Sequence, residues 1–412
     1  MATDFRSPFR VSLLAVLFFE LLFIRRGDQF LNPQVWDEDG NVIIPSVIFE
    51  GARSLIEPFN GYLNSIARLI SGISLALSFV HYPRISTILS WIFIVCVVLA
   101  ISLSPIILRG GVMLAALTLL VPSDPEVFGL PLYTFWWAAL LIFLAALWRP
   151  HRSGVVWRVV FVVVGGLSSP AIFLALPIFM TRAWLLRERQ ETTVTLIALA
   201  CGIVQFFCVR LDREVTSSSD LIASIEHFTY ILPKFVGDYL VGNLTSQTGA
   251  VATGAALGTV AVVAAALWLN NKNLTLYVAC YLWLGSIALS LARVDVAVAD
   301  ASHAGPRYFF FPFVFEAWLL LQVALSARQR SLRTLAGAML ILAAANALPV
   351  LRRPHVDDLH WRENVAKCAA APDHVVYVIP IQFNGDARLS WKLRLTGDQC
   401  RGQLSRSLLD RP

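Results

Sequence analysis

The run Trp36-Asp37-Glu38-Asp39-Gly40 sets three carboxyl groups in a row beside an indole. Carboxylates grouped in this way can take a proton from an attacking hydroxyl or hold a divalent cation. The competing explanation is a solvated loop whose acids cap the segment that follows, 42–56. A second acidic turn, Ser123-Asp124-Pro125-Glu126, offers Asp124 and Glu126, although Pro and Asp are also ordinary turn residues. A third group contains Arg293, Asp295, Asp300, His303, Arg307 and Tyr308, and its Gly305-Pro306-Arg307-Tyr308 runs straight into Phe309-Phe310-Phe311. Arg307 and Tyr308, with His303 close in sequence, could hold a phosphate, because a guanidinium forks onto two oxygens. They could equally form an interfacial aromatic belt from which Arg307 reaches lipid headgroups. Arg210, Arg213, His227 and Lys234 make a fourth set that reads more simply as a charged loop.

The elements that must position these groups are apolar. The chain has 412 residues, of which 57% are hydrophobic and only 15% charged, with a mean hydropathy of +0.67. Soluble domains carry about a quarter charged residues. An all-α polytopic membrane protein follows, since backbone groups in lipid must be satisfied internally and the apolar runs are too long and unbroken for a barrel. In hydrocarbon the acidic run would be costly, so it belongs in a loop at one membrane face. The net charge of +6 comes from short basic clusters between apolar runs. That pattern suits membrane lipids and gives no reason to expect nucleic acid. Glu20, inside the first apolar run, is an intramembrane acid whose partner the sequence does not identify.

The first run, 11–24, follows Arg6 and Arg10, but no small-residue cleavage site comes after it, only Arg25-Arg26-Gly27-Asp28. It reads as an uncleaved span with a cytoplasmic N-terminus. Further spans are expected at about 85–104, 105–121, 130–148, 155–168, 170–186, 192–209, 250–269, 274–291, 308–326 and 332–351. The basic clusters at Arg109, Arg149/Arg152, Arg182/Arg187/Arg189, Lys272 and Arg328/Arg330/Arg333 all become cytoplasmic only if 61–79 lies in the interface rather than crossing. About eleven spans result. Residues 1–351 form the transmembrane domain, with a first outer loop at 25–84. Residues 352–412 form a small soluble α/β tail, periplasmic if the protein sits in a bacterial inner membrane. Val375 to Ile379 reads as a buried strand of that tail, and Ser217-Ser218-Ser219-Asp220 as the cap of a helix in the 210–248 loop. Cys368 and Cys400 are the cysteines of the tail, free or paired from sequence alone; the outer placement favours a disulfide.

No P-loop, GxGxxG before a helix, GxSxG or HExxH is present, so soluble nucleotide chemistry has no support. The layout resembles the GT-C superfamily of polytopic membrane glycosyltransferases. The matching residues are Trp36-Asp37-Glu38-Asp39-Gly40, Pro58-Phe59-Asn60-Gly61-Tyr62-Leu63, the turn from Pro122 to Gly129, and Gly305-Pro306-Arg307-Tyr308. The resemblance runs through about residue 350 and rests on order and sidedness more than on any single motif. It implies an inverting transfer of a sugar from a polyprenyl-phosphate carrier to a glycan or lipid-linked acceptor. It maps the family's first-loop base onto Asp37, Glu38 or Asp39, with Asp39 and Asp37 ranked as bases and Glu38 as a metal or orienting ligand. The second-loop acid maps onto Asp124 or Glu126. A divalent metal, Mg or Mn, would be held by Asp39, Glu38 and Glu126. The competing class is a transporter or flippase for a lipid-linked or anionic substrate, which predicts internal repeats and broken mid-membrane helices; no repeat is visible.

Overall fold

The computed structural model describes residues 8–211, 228–244, 248–354, 357–382 and 392–410. The helix expected after Ser217 begins outside these residues. The protein is predominantly helical, with one two-stranded sheet among the described residues. In chain order the helices are α1 (Pro8–Leu31), α2 (Ile44–Glu50), α3 (Ser65–Leu77), α4 (Tyr82–Leu103), α5 (Gly111–Leu119), α6 (Thr134–Ala146), α7 (Val155–Gly166), α8 (Ile172–Leu186) and α9 (Arg189–Leu211). Then come α10 (Phe228–Leu232), α11 (Asp238–Val241), α12 (Thr248–Leu269), α13 (Leu274–Leu291), α14 (Phe310–Ser326), α15 (Arg330–Ala347), α16 (Trp361–Ala370) and α17 (Gly397–Arg406). Among the described residues five helices are long and apolar enough to cross a membrane: those at Tyr82–Leu103, Arg189–Arg210, Gly249–Leu269, Leu274–Leu291 and Pro306–Ser326. Several exposed large side chains, such as Trp157, Trp184, Phe207 and Trp268, lie on the outside of the bundle, as a multi-pass membrane protein requires.

Other apolar runs make shorter helices than their length suggests. The run at 105–121 is helical only over the nine residues of α5. Pro105 cannot continue α4, because it lacks the amide proton. The link that follows pairs instead with the end of α6, Ile107 N donating to Leu147 O and Arg149 N to Pro105 O, both at 2.8 Å. α6 is buried at every position and α14 from Phe310 to Val323. A helix apolar on all sides belongs in the interior, and these two form the core around which the others pack.

Hydrogen bonds gather the connections at two ends. At one, the basic end, Gln322 bonds both ways to the backbone of Arg109, Arg328 N donates to Asn270, and His151 pairs with Glu188. At the other, the acidic end, Asp124 N donates to Ala301 O, Asn243 bonds to Asn346, and Lys234 Nζ donates to the carbonyls of Val296, Ala297 and Ala299. Both ends of α3 belong to the acidic end: Ser65 N reaches Leu167 O, and Phe79 N, just past its C-terminus, donates to Asp410.

The C-terminal segment carries an antiparallel pair, β1 (Val376–Pro380) and β2 (Lys392–Thr396), flanked by α16 and α17. Cys368 of α16 and Cys400 of α17 form a disulfide with Cα atoms 6.0 Å apart. The strand expected at 375–379 is present but not buried, for only Ile379 of β1 is sealed and Val376 and Val378 face outward. The tail does not stand alone. Trp361, Val365, Ile379 and Leu393 share a core with Val35, Ile44, Leu75, Phe79 and Tyr82. Trp361 Nε1 donates to Phe79 O at 3.0 Å, and Gln382 N to Val35 O at 2.8 Å.

Candidate functional site

A cavity of about 550 Å³ lies at the acidic end. Glu38, Asn60 and Tyr62 reach it from the first connecting segment, Tyr133 and Trp136 from the start of α6, Arg293 from just past α13, and Arg307 and Tyr308 from the turn before α14. Asn60 and Gly61 both have positive φ, 50° and 78°, as a tight reversal of the Asn-Gly type needs. The turn is closed by Phe59 N to Tyr62 O at 2.9 Å and Tyr62 N to Phe59 O at 3.2 Å, and it delivers Tyr62 to the cavity wall.

A hydrogen-bonded chain backs one wall. Trp36 Nε1 donates to Tyr133 Oη at 3.1 Å, and Tyr133 donates to Glu126 Oε1 at 2.5 Å. Arg307 Nη1 donates to the same Glu126 oxygen at 2.7 Å and to Tyr133 Oη at 3.2 Å. Glu126 is nearly sealed behind the tyrosine, at 4% exposure. The second acidic turn is held in place by two arginines at the end of α1. Arg25 donates to Val121 O and Ser123 O, and Arg26 to Pro125 O and Phe128 O. Both are fully buried, and Arg26 also pairs with Asp28 at 3.1 Å. The helix kinks at Arg26 to aim this pair.

The three consecutive acids separate into different environments. Glu38 is the one on the cavity wall. Asp39 is 1% exposed; its Oδ1 accepts the amide of Leu132 at 2.9 Å, and its Oδ2 is buried without a hydrogen-bond partner. Burial holds its carboxyl well above the usual range, and the charge of Glu38 adds to this. Asp37 accepts the Glu38 amide at 2.7 Å. Burial, a hydrogen bond with Glu38 and the charge of Glu38 push it up to about 9. Asp37, pushed up to about 9, keeps its proton around pH 7, and burial shifts Asp39 in the same direction, which leaves Glu38 as the acid that meets the cavity. Gly40 explains the tight descent into the π-helix Asp39–Ile43: a Cβ there would sit 2.7 Å from Ile381 of the tail.

Of the residues singled out in the sequence, Glu38, Arg307 and Tyr308 share the cavity, with Glu126 behind it. His303 stays on the surface, bonded to Asp300. Asp124 points toward the tail, 3.4 Å from Arg353, and burial raises its carboxyl while Arg353 and Arg26 oppose that. Glu20 lines a separate apolar groove between α1 and α4. Among the described residues no group of three or more His, Cys, Asp or Glu side chains converges as a cation site. Glu38 Oε2, Asp39 Oδ2 and Glu126 Oε2 each lack a partner, yet they do not meet, and the other Glu126 oxygen is already committed to Arg307 and Tyr133. The expected trio Asp39, Glu38 and Glu126 thus does not form a ready metal cradle.

Tyr133, Arg25 and Arg26 did not stand out in the sequence as parts of a site, and Tyr62 stood there only within the Pro58 to Leu63 stretch, with no role of its own. For the arginines a signal existed, since two positive charges directly follow the first apolar run on the side of the acids, where Arg352 and Arg353 also fall. For Tyr133 the signal was a phenol at the mouth of an aromatic run. Glu316 also passed unnoticed; it is fully buried in α14, beside the indole of Trp283. Comparison with protein-family models, with curated proteins and with solved structures finds no match.

Proposed function

We propose that the protein is a polytopic membrane glycosyltransferase of the GT-C kind, moving a sugar from a polyprenyl-phosphate carrier to a glycan or lipid-linked acceptor. The observation that carries the reading is one cavity in which an acid, Glu38, faces two arginines among aromatic rings, at the end of a helical bundle where the connections are acidic. An anionic lipid leaving group needs a cation, and an acceptor hydroxyl of high pKa needs a base within reach. Aromatic walls suit sugar faces and prenyl carbons.

In this reading α1, α4 to α9 and α12 to α15 are the eleven membrane passes, and α3 lies along the membrane surface. The N-terminus is cytoplasmic, and the acidic end and the tail face the periplasm of a bacterial inner membrane. The clustering of basic turns at the opposite end supports this orientation. Helices of nine to fifteen residues at α5 to α8 are short for a span of about 20 residues; their flanking turns complete the crossing.

Glu38 takes the proton of the acceptor hydroxyl as its oxygen attacks the anomeric carbon from the side opposite the phosphate. The bond from that carbon to the phosphate oxygen breaks, and the phosphate leaves with the electron pair, giving inversion. Asp37 and Asp39, whose carboxyls burial raises, fix the loop that presents Glu38, and Glu126 with Tyr133 and Arg307 fixes the opposite wall. No step is routed through a metal. The test is transfer of labelled sugar from polyprenyl-phosphate donors to a glycan in membranes containing the protein. Incorporation that depends on Glu38 supports the reading. Absence of incorporation from every polyprenyl-phosphate sugar, with the protein correctly inserted, contradicts it.

A further inference from the structure

The cavity holds two arginines in different situations. Arg307 is bound to Glu126 and Tyr133 through a single nitrogen, and its carboxylate partner is sealed from solvent. Drawing Arg307 away toward a ligand would strand that carboxylate without its counter-charge, which is strongly unfavourable. Arg293 stands just past the C-terminus of α13, half-buried on the same cavity wall. Its side chain makes one long hydrogen bond, 3.4 Å to Asn60 O, and lies over the Tyr62 ring at 5.9 Å. No carboxylate among the described residues pairs with it. Charge counting within the wall gives the same answer. Glu126 is bonded to Arg307, while neither Glu126 nor Glu38, the other acid of the cavity, makes an ion pair with Arg293.

We infer that Arg293 is the residue that binds the phosphate of the donor, and that Arg307 positions Glu126 and Tyr133 rather than touching the ligand. This rests on the reading of the cavity as a lipid-phosphate site. Before a ligand arrives, the Asn60 carbonyl and the Tyr62 face hold the guanidinium over the cavity. A phosphate then replaces one weak backbone bond and loses no ion pair. The Asn60-Gly61 turn acquires a purpose in this account, since its left-handed geometry exposes the carbonyl that steers Arg293.

The experiment is calorimetric titration of the purified full chain in neutral-lipid nanodiscs with farnesyl phosphate, farnesol and inorganic phosphate. Wild type should prefer farnesyl phosphate to either of the others. Arg293→Gln should weaken farnesyl phosphate binding about tenfold to a hundredfold, the worth of one charge-assisted bond, and leave farnesol unchanged. Arg293→Lys should recover part of the loss, which a merely structural role would not explain. Arg307→Lys, which keeps a cation beside Glu126, should change that affinity by less than about threefold. Phosphate preference surviving in Arg293→Gln, or vanishing in a folded Arg307 variant, overturns the assignment while leaving the cavity reading intact. Farnesol binding as tightly as farnesyl phosphate to wild type overturns the cavity reading itself. Inorganic phosphate binding as tightly as farnesyl phosphate overturns the lipid source of the anion.

Discussion

Two clusters of buried acids and arginines stand at opposite ends of the bundle, and they are built on different terms. At the basic end Glu191 receives Arg158 through two bonds of 2.8 and 2.7 Å and Arg182 through two more of 3.1 and 2.8 Å. Arg158 also donates to Ala145 O, so the triad is satisfied atom by atom. At the acidic end Glu38, Asp39 and Glu126 each keep a buried oxygen without a partner, and a cavity lined by Glu38 and two arginines lies beside them. A fully paired ionic cluster braces helices; a cluster with unmet hydrogen-bonding capacity beside a cavity is prepared for something that is not protein. Similar residue types therefore serve as a strut at one end and as a site at the other.

The largest effect on stability should come from the strut. Glu191→Gln leaves the buried Arg158 guanidinium and the half-buried Arg182 without their counter-charge and should cost about 3–5 kcal/mol, read as a lower thermal midpoint with normal turnover per folded molecule. A comparable loss of stability from Glu38→Gln would erase the contrast. Next in size is the tail, whose disulfide joins residues 32 apart. Cys368→Ser with Cys400→Ser should cost about 2–4 kcal/mol on the chain-entropy account. Because the tail packs on the loop that bears Glu38, limited proteolysis should then show both segments loosened together. A smaller effect is expected at the second wall. A double-mutant cycle on Glu126→Gln and Arg307→Gln should show coupling of about 0.5–3 kcal/mol, and additive losses would mean the pair is not a unit.

A pH dependence is expected as well. Asp37 has its carboxyl raised from an ordinary 3.8 to about 9. The folded state thus holds a proton that the unfolded chain releases. The associated stability is complete below the ordinary value and declines as pH rises toward about 9, after which it is flat. Asp37→Asn should flatten that slope in thermal melts taken from pH 6 to 10; an unaltered slope would show that Asp37 is not the titrating group.

Much of this was legible in the residues, for specific reasons. The acidic run at 37–39, the turn at 124–126 and Arg307 announce themselves because charges are conspicuous in a chain this apolar. Which carboxyl faces the cavity was not legible. That choice depends on the π-helix at Asp39–Ile43 and on Gly40 pressed against Ile381, a contact between segments far apart in sequence. The apolar runs located the helices but not their lengths, since Pro105 and the pairing of 105–107 with 147–149 unwind a stretch whose hydropathy looks continuous. The tail's docking was hidden for the same reason. Asp410 accepts from the Ser78 hydroxyl and from the amides of Phe79 and Val80, between α3 and α4, and no local pattern foretells that contact.

The central claim is that Glu38, and neither flanking aspartate, does the chemistry. The direct measurement is turnover of a polyprenyl-phosphate sugar donor by purified Glu38→Gln, Asp37→Asn and Asp39→Asn at pH 7, each checked for folding by its thermal midpoint. Loss of a general base lowers turnover by about 10²–10⁴, and that loss is predicted for Glu38→Gln alone, with both aspartate variants within about tenfold of wild type. Near wild-type turnover in Glu38→Gln, or the large loss in Asp37→Asn or Asp39→Asn instead, would contradict the account.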